Sequence, residues 1–132
     1  MAVVVGYVPT REGQAALLRA ATEASVRGTP LIVLDSTRPA DDAAADGASA
    51  GEARTQLEAL GGLDVSYEVR SVPPGVESSD ELLRIAEEET ADLLVIGLRR
   101  RTAVGKLILG AHAQRILLDA ACPVLAVKPD AD

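Results

Sequence analysis

The stretch Ala2–Asp35, AVVVGYVPTREGQAALLRAATEASVRGTPLIVLD, decides the fold. Its first six residues, Ala2 to Tyr7, are short, continuous and β-branched, the pattern of a strand buried on both faces. Gly6 and Pro9 punctuate the end of that strand. Thr10 is placed to cap a helix, and from Arg11 to Arg27 the apolar residues Ala16, Leu17, Ala20, Ala21 and Ala24 recur at helical spacing. Gly13 is a mild objection to the first turn of that helix. Gly28 is the residue type that stops one. Pro30 to Asp35 then repeats the buried-strand pattern. Strand, helix and strand, joined by short turns, predict a right-handed crossover between parallel neighbours.

Outward from this unit the alternation continues. Ser36 to Gly51 is polar, acidic and rich in Ala and Gly, and predicts a mobile surface loop. Glu52 to Leu60 predicts a helix ended by Gly61-Gly62. In Leu63 to Val72, Val65, Tyr67 and Val69 alternate with Ser66, Glu68 and Arg70, the pattern of a half-exposed edge strand. Ser78 or Ser79 is expected to cap the next helix, with Asp80 and Glu81 in its first turn and Leu82, Leu83, Ile85 and Ala86 facing inward. Asp92 to Gly97 is a third buried strand. Leu98 to Leu109 has no clean period, although Val104 to Leu109 admits a helical turn. Ala111 to Ala121 predicts a helix with Ile116, Leu117 and Ala120 inward, and Cys122 to Val127 the last strand. The order β-α-β-α-β-α-β-α-β predicts an α/β domain with a five-stranded parallel sheet, doubly wound and Rossmann-like, spanning residues 1–132 as a single domain.

Composition excludes several classes. The 132 residues carry 20 acids and 13 bases, a formal charge of −7, with 48% apolar and 2% aromatic residues. Such a chain is too apolar to be disordered throughout. One cysteine makes no internal disulfide, so a cytoplasmic location is expected. No apolar run approaches the roughly 18 residues of a membrane span, so no membrane partner is expected. Acidity, with only Tyr7 and Tyr67 for stacking, argues against nucleic acid.

The charge is uneven. Leu98 to Arg115 holds Arg99, Arg100, Arg101, Lys106 and Arg115 and no acid, so the rest of the chain carries −12. This segment runs from Gly97, which closes a predicted strand, to Gly110, which opens a predicted helix. Unsatisfied amides at a helix start, with a glycine that lets an anion approach, favour a phosphate. The segment reads either as such a site or as a solvated basic loop that offsets the acidity of the domain. It lies where the fold puts its crevice, beyond the ends of strands 1 and 4.

Named nucleotide motifs are absent. Gly105-Lys106 is followed by Leu107 and has no glycine five residues before it, so it is no P-loop, and no G-x-G-x-x-G occurs. His112, beside Gly110, reads either as a phosphate donor or as an exposed helix-end residue. Cys122 reads as an inert thiol, and one Cys with one His builds no usual metal site. Asp35, at the end of strand 2, reads as a surface cap or as a partner for a ribose hydroxyl. No catalytic residue and no metal ligand is assigned.

The stretches Ile85–Gly97 (IAEEETADLLVIG), Leu107–Gly110 (LILG), Gln114–Leu117 (QRIL) and Cys122–Val127 (CPVLAV) resemble the universal stress protein family. The resemblance covers essentially the whole chain. It implies a five-stranded parallel α/β fold of the adenine nucleotide alpha hydrolase-like type, a cytoplasmic homodimer and a role in stress responses without conventional enzyme activity. Many members bind ATP through G-x-x-G-x9-G-Ser/Thr, and others do not. Here Gly97 and Gly110 match that signature, Arg100 stands at its second glycine and Ala111 at its Ser/Thr. Val8 stands where the family's strand-1 aspartate would meet ribose or metal.

The resemblance therefore implies a degenerate site for ATP, AMP or phosphate around Gly97, Arg99, Arg100, Arg101, Lys106, Gly110, Ala111 and His112, with Leu34 and Ile96 lining an adenine pocket. It also implies dimerisation through Val124, Leu125, Ala126 and Val127, which would cover an otherwise open sheet edge. The competing reading is a dimeric scaffold that binds no nucleotide and acts through protein partners.

Overall fold

The computed structural model describes residues 1–36, 54–59, 65–98 and 110–129. All of the predicted loop Ser36–Gly51 but its first residue, the ends of the predicted helix over 52–60, the residues 60–64, and the basic stretch 99–109 with its expected helical turn lie outside the described residues. The described elements are β1 (Val3–Tyr7), α1 (Arg11–Arg27), β2 (Leu31–Asp35), the helical residues 54–59 as α2, β3 (Tyr67–Ser71), α3 (Ser78–Glu88), β4 (Leu93–Gly97), α4 (Ala111–Asp119) and β5 (Val124–Val127). They form one five-stranded sheet in the order β3-β2-β1-β4-β5, parallel throughout. The doubly wound α/β fold read from the sequence is therefore the fold observed.

Alternation along each strand divides the interior in two. Val3, Val5 and Tyr7 of β1, with Leu31, Val33, Leu93 and Val95, meet the small-residue face of α1 at Ala16, Ala20, Ala21 and Ala24. Val4, Ile32, Leu34, Leu94 and Ile96 point to the other side and meet Leu82 and Ile85 of α3 and Ala113 and Ile116 of α4. The three central strands are buried on both faces, which is why they read as unbroken apolar runs. The edges read differently. β3 is half exposed, as its alternation predicts, and every residue of β5 is half-buried.

Helix ends account for most local departures. Thr10 caps α1 as expected, its Oγ1 accepting from the Gly13 amide at 3.1 Å. At the other end Gly28 takes the left-handed conformation, φ 67°, and the Gly28 and Thr29 amides bond back to Ser25 and Ala24. α3 begins one residue before expectation: Glu77 is the N-cap, with no side-chain cap, and both Ser78 and Ser79 lie inside the helix. α4 ends at Asp119, and its inward residues are Ala113 and Ile116, while Leu117 and Leu118 are exposed. A nine-residue helix turns away before Ala120 can join the face that Ile116 starts. Asp35 is not a surface cap, being only 2% exposed at the end of β2.

Candidate functional site

The sheet order decides where a site can form. β1 continues into α1 on one face and β4 leads to α4 on the other, so the neighbouring ends of β1 and β4 are left uncovered at the switch point. A cavity of about 330 Å³ lies there. Gly6, Val8, Ile96 and Gly97 line it from the strand ends, Glu12 and Gly13 from α1, and Gly110, His112 and Ala113 from the start of α4.

Two glycines make the α1 wall possible. A Cβ on Gly13 would stand 1.9 Å from the Val8 carbonyl oxygen, and one on Gly97 would stand 2.4 Å from the Glu12 carbonyl oxygen. The first turn of α1 is thus pressed against the ends of both strands by contacts that no side chain permits. Gly110 is different: a Cβ there would meet no described residue within 4 Å. It is the N-cap of α4, extended at φ −70° and ψ 168°, with no side-chain cap. Among the described residues, no side chain caps the amides of this helix start.

Beside the crevice lies a second cavity of about 550 Å³, between the first turns of α3 and α4. Val72, Val76, Glu77, Ser79, Ala111 and Arg115 line it, and it shares Ser36, Ser78 and His112 with the crevice. The Ser78 hydroxyl and His112 Nδ1 are 3.5 Å apart, which ties the two helix starts together. Arg115 pairs with Asp80 and Asp119, both at 2.7 Å. Packing around the His112 ring holds its pKa below the ordinary value, and the charge of Glu77 opposes that shift. Burial pushes the Cys122 thiol upward, away from the reactive thiolate. Among the described residues no group of three His, Cys, Asp or Glu side chains could hold a metal ion.

Ile96, Gly97, Gly110 and His112 meet at the crevice, and Ala111 faces the second cavity. Leu34 is fully buried in the core beneath, with Leu82 and Ile96 in its cluster. Arg99, Arg100, Arg101 and Lys106 lie outside the described residues. Val124, Leu125, Ala126 and Val127 form β5 at one sheet edge, paired with β4 on their inner side. Sequence reasoning missed Ser36, Ser78, Ser79, Glu12 and Gly13 as lining residues. Their one legible signal was position, since each follows a strand end or starts a helix.

A parallel doubly wound sheet with a crevice over the neighbouring ends of its central strands defines a Rossmann-like α/β domain. A family model described as "Universal stress protein family" matches residues 1–128. The chain belongs to the universal stress protein family. A universal stress protein of Mycolicibacterium smegmatis is 44% identical over 129 residues, covering 96% of this chain and 97% of its own length. The solved structure of a universal stress protein from Archaeoglobus fulgidus superposes with a TM-score of 0.81 at 29% identity, covering 97% of this chain and 98% of that one. A universal stress protein solved in complex with cAMP gives a TM-score of 0.76 at 27% identity, covering 97% and 96%. No helix among the described residues is long and apolar enough to cross a membrane.

Proposed function

We propose that this universal stress protein is a cytoplasmic, homodimeric regulatory module of stress responses that binds an adenine nucleotide, AMP-like or ATP, in the crevice between β1 and β4. The observation that carries the reading is the cavity at the switch point, bounded by Gly97 on one side and the uncapped start of α4 at Gly110 on the other. A relative of the same fold, 27% identical, was solved with cAMP. In this reading Gly97 and Gly110 let the phosphate approach backbone amides, with Ala111 and His112 beside it. Ile96 underlies the base above the buried Leu34, and Arg99, Arg100, Arg101 and Lys106 supply positive charge. Val124 to Val127 of β5 pair with a second copy. The module acts by binding rather than by turnover.

Calorimetry of the chain with AMP, and with ATP and magnesium, tests the site. Saturable heat and a raised melting temperature are expected. No heat at millimolar nucleotide, with an unchanged melting temperature, overturns it. Sedimentation velocity tests the dimer, and a monomer at micromolar concentration overturns that part.

A second reading, a dimeric scaffold acting through protein partners without nucleotide, is favoured by Val8, Arg100 and Ala111 at signature positions. Val8 offers no acceptor for a ribose hydroxyl, and Ala111 no hydroxyl for a phosphate. Replacing Arg100 by Gly together with Ala111 by Ser separates the readings. Tighter nucleotide binding in the double variant supports the degenerate site, and the absence of binding in both chains supports the scaffold.

A further inference from the structure

We propose that Glu12, in the first turn of α1, is the sugar-recognising residue of the crevice: its carboxylate accepts from the paired hydroxyls of a ribose and selects ribonucleotides over deoxynucleotides. The proposal rests on the nucleotide reading of the crevice and deepens it.

Both ribose hydroxyls need an acceptor. In dinucleotide-binding sheets that acceptor is an acid at the end of the second strand. Here that acid is Asp35, which is only 2% exposed and lines neither cavity. Val8, which follows β1 into the crevice, has an apolar side chain. Among the described residues, the one acid that lines the crevice is Glu12.

Glu12 is held more firmly than an ordinary surface acid. It is half-buried. A Cβ on Gly97 would stand 2.4 Å from the Glu12 carbonyl oxygen and 3.2 Å from the Glu12 Cβ, so the root of this side chain lies against the end of β4. The next residue, Gly13, is seated on the Val8 carbonyl, and Thr10 caps the same turn. The carboxylate therefore springs from a wall fixed by two strand ends and a cap, and only its own torsions are left to order on binding.

Chemistry decides what it meets. A carboxylate only accepts, and its two oxygens can take two hydroxyls at once. It repels a phosphate, and Gly110 and His112, the residues beside the phosphate in the nucleotide reading, belong to α4 on the other face of the sheet. One acid is too few for a divalent cation, since no group of three His, Cys, Asp or Glu side chains among the described residues could hold one. Neutral donors remain, and the paired hydroxyls of the sugar match both oxygens.

Calorimetry compares AMP with 2′,3′-dideoxy-AMP in the full chain, in Glu12→Gln and in Glu12→Ala. The two ligands share base and phosphate, so the ratio of their affinities reads the hydroxyls alone. The parent chain should prefer AMP by about tenfold or more, the worth of a hydrogen bond to a charged acceptor. Glu12→Ala should bring the ratio close to one by weakening AMP binding without weakening that of the dideoxy nucleotide. Glu12→Gln keeps the shape and a neutral acceptor, and should keep part of the preference.

A residue that only shaped the wall would weaken both ligands alike and leave the ratio unchanged. That outcome, or a parent chain without the preference, overturns the proposal while AMP binding itself stands. Loss of discrimination between AMP and IMP in Glu12→Ala, with the sugar ratio intact, would assign the carboxylate to the base amine and overturns it as well. A parent chain that binds neither AMP nor its dideoxy form rejects the nucleotide reading, and this inference with it.

Discussion

The first turns of α1 and α4 face the same crevice and are built in opposite ways. α1 is closed: Thr10 caps it, Gly13 lets it approach the Val8 carbonyl, and Gly97 lets β4 approach its Glu12 carbonyl. α4 is uncapped: Gly110 offers no side-chain cap, and a Cβ there would meet no described residue within 4 Å. The same residue type thus carries two meanings. Glycine at 13 and 97 is demanded by packing, whereas no contact among the described residues demands it at 110. The contrast separates a wall fixed by backbone packing from a wall whose helix start carries no side-chain cap.

Exchanging the glycines breaks the comparison most sharply. Gly13→Ala drives a methyl to 1.9 Å from a backbone oxygen, which nothing flexible can relieve. A loss of about 3 kcal/mol or more is expected, read as a collapse of the urea midpoint. Gly97→Ala, at 2.4 Å from the Glu12 oxygen, should cost about 2 to 3 kcal/mol. Gly110→Ala should cost less than about 1 kcal/mol, the difference between glycine and alanine at an N-cap. Equal losses at 13 and 110 would end the distinction.

The closed end also depends on its cap. Thr10→Ala leaves the Gly13 amide without its acceptor and makes the start of α1 resemble that of α4. About 1 kcal/mol of stability should be lost, measurable by thermal or urea unfolding.

The helix C-termini repeat the contrast in smaller form. α1 and α3 end in the same hydrogen-bonded turn. Gly28 and Thr29 bond back to Ser25 and Ala24, and Thr90 and Ala91 bond back to Glu87 and Ala86. The left-handed position is Gly28 at φ 67° in one and Thr90 at φ 50° in the other. A β-branched residue is strained there. Thr90→Gly should therefore raise stability by up to about 1 kcal/mol, and Gly28→Ala should lower it by a similar amount. An unchanged or lower melting temperature in Thr90→Gly would contradict this.

These contrasts show what a sequence can and cannot disclose. The three central strands were legible because burial on both faces leaves runs such as VVV and LIVL, which few other environments permit. Thr10 and Gly28 were legible because caps act within a few residues. Gly13 read as an objection because propensity weighs a residue against its own helix and is blind to the carbonyl five residues back. The Gly97 contact with Glu12 is tertiary, and no local pattern encodes it. Ser78 and Ser79 look like caps in sequence, yet Glu77 is the N-cap, and both serines line a cavity from inside the helix. Leu117 sits at helical spacing from Ala113, yet how a short helix lies on the sheet, and so which side it buries, is set by neighbours remote in sequence.

The smallest expected effect concerns His112 in the uncapped first turn. The residue is exposed and lines both cavities, its ring partly shielded by its neighbours, and the positive end of the α4 dipole adds to the cost of charging it. Burial therefore holds its pKa below the ordinary value near 6.5, with Glu77 pulling the other way. A histidine that resists protonation in the folded chain but not in the unfolded chain makes unfolding take up a proton. Its contribution to stability is whole above pH 6.5 and is lost as pH falls from there toward the folded value. The ring signal should accordingly titrate with a midpoint below 6.5. Between about pH 7.5 and about pH 5.5 the urea midpoint should fall less in His112→Gln than in the parent chain, because the substitution removes the proton uptake. A midpoint above 6.5 would mean that Glu77, and not burial beside the uncapped helix start, governs the ring.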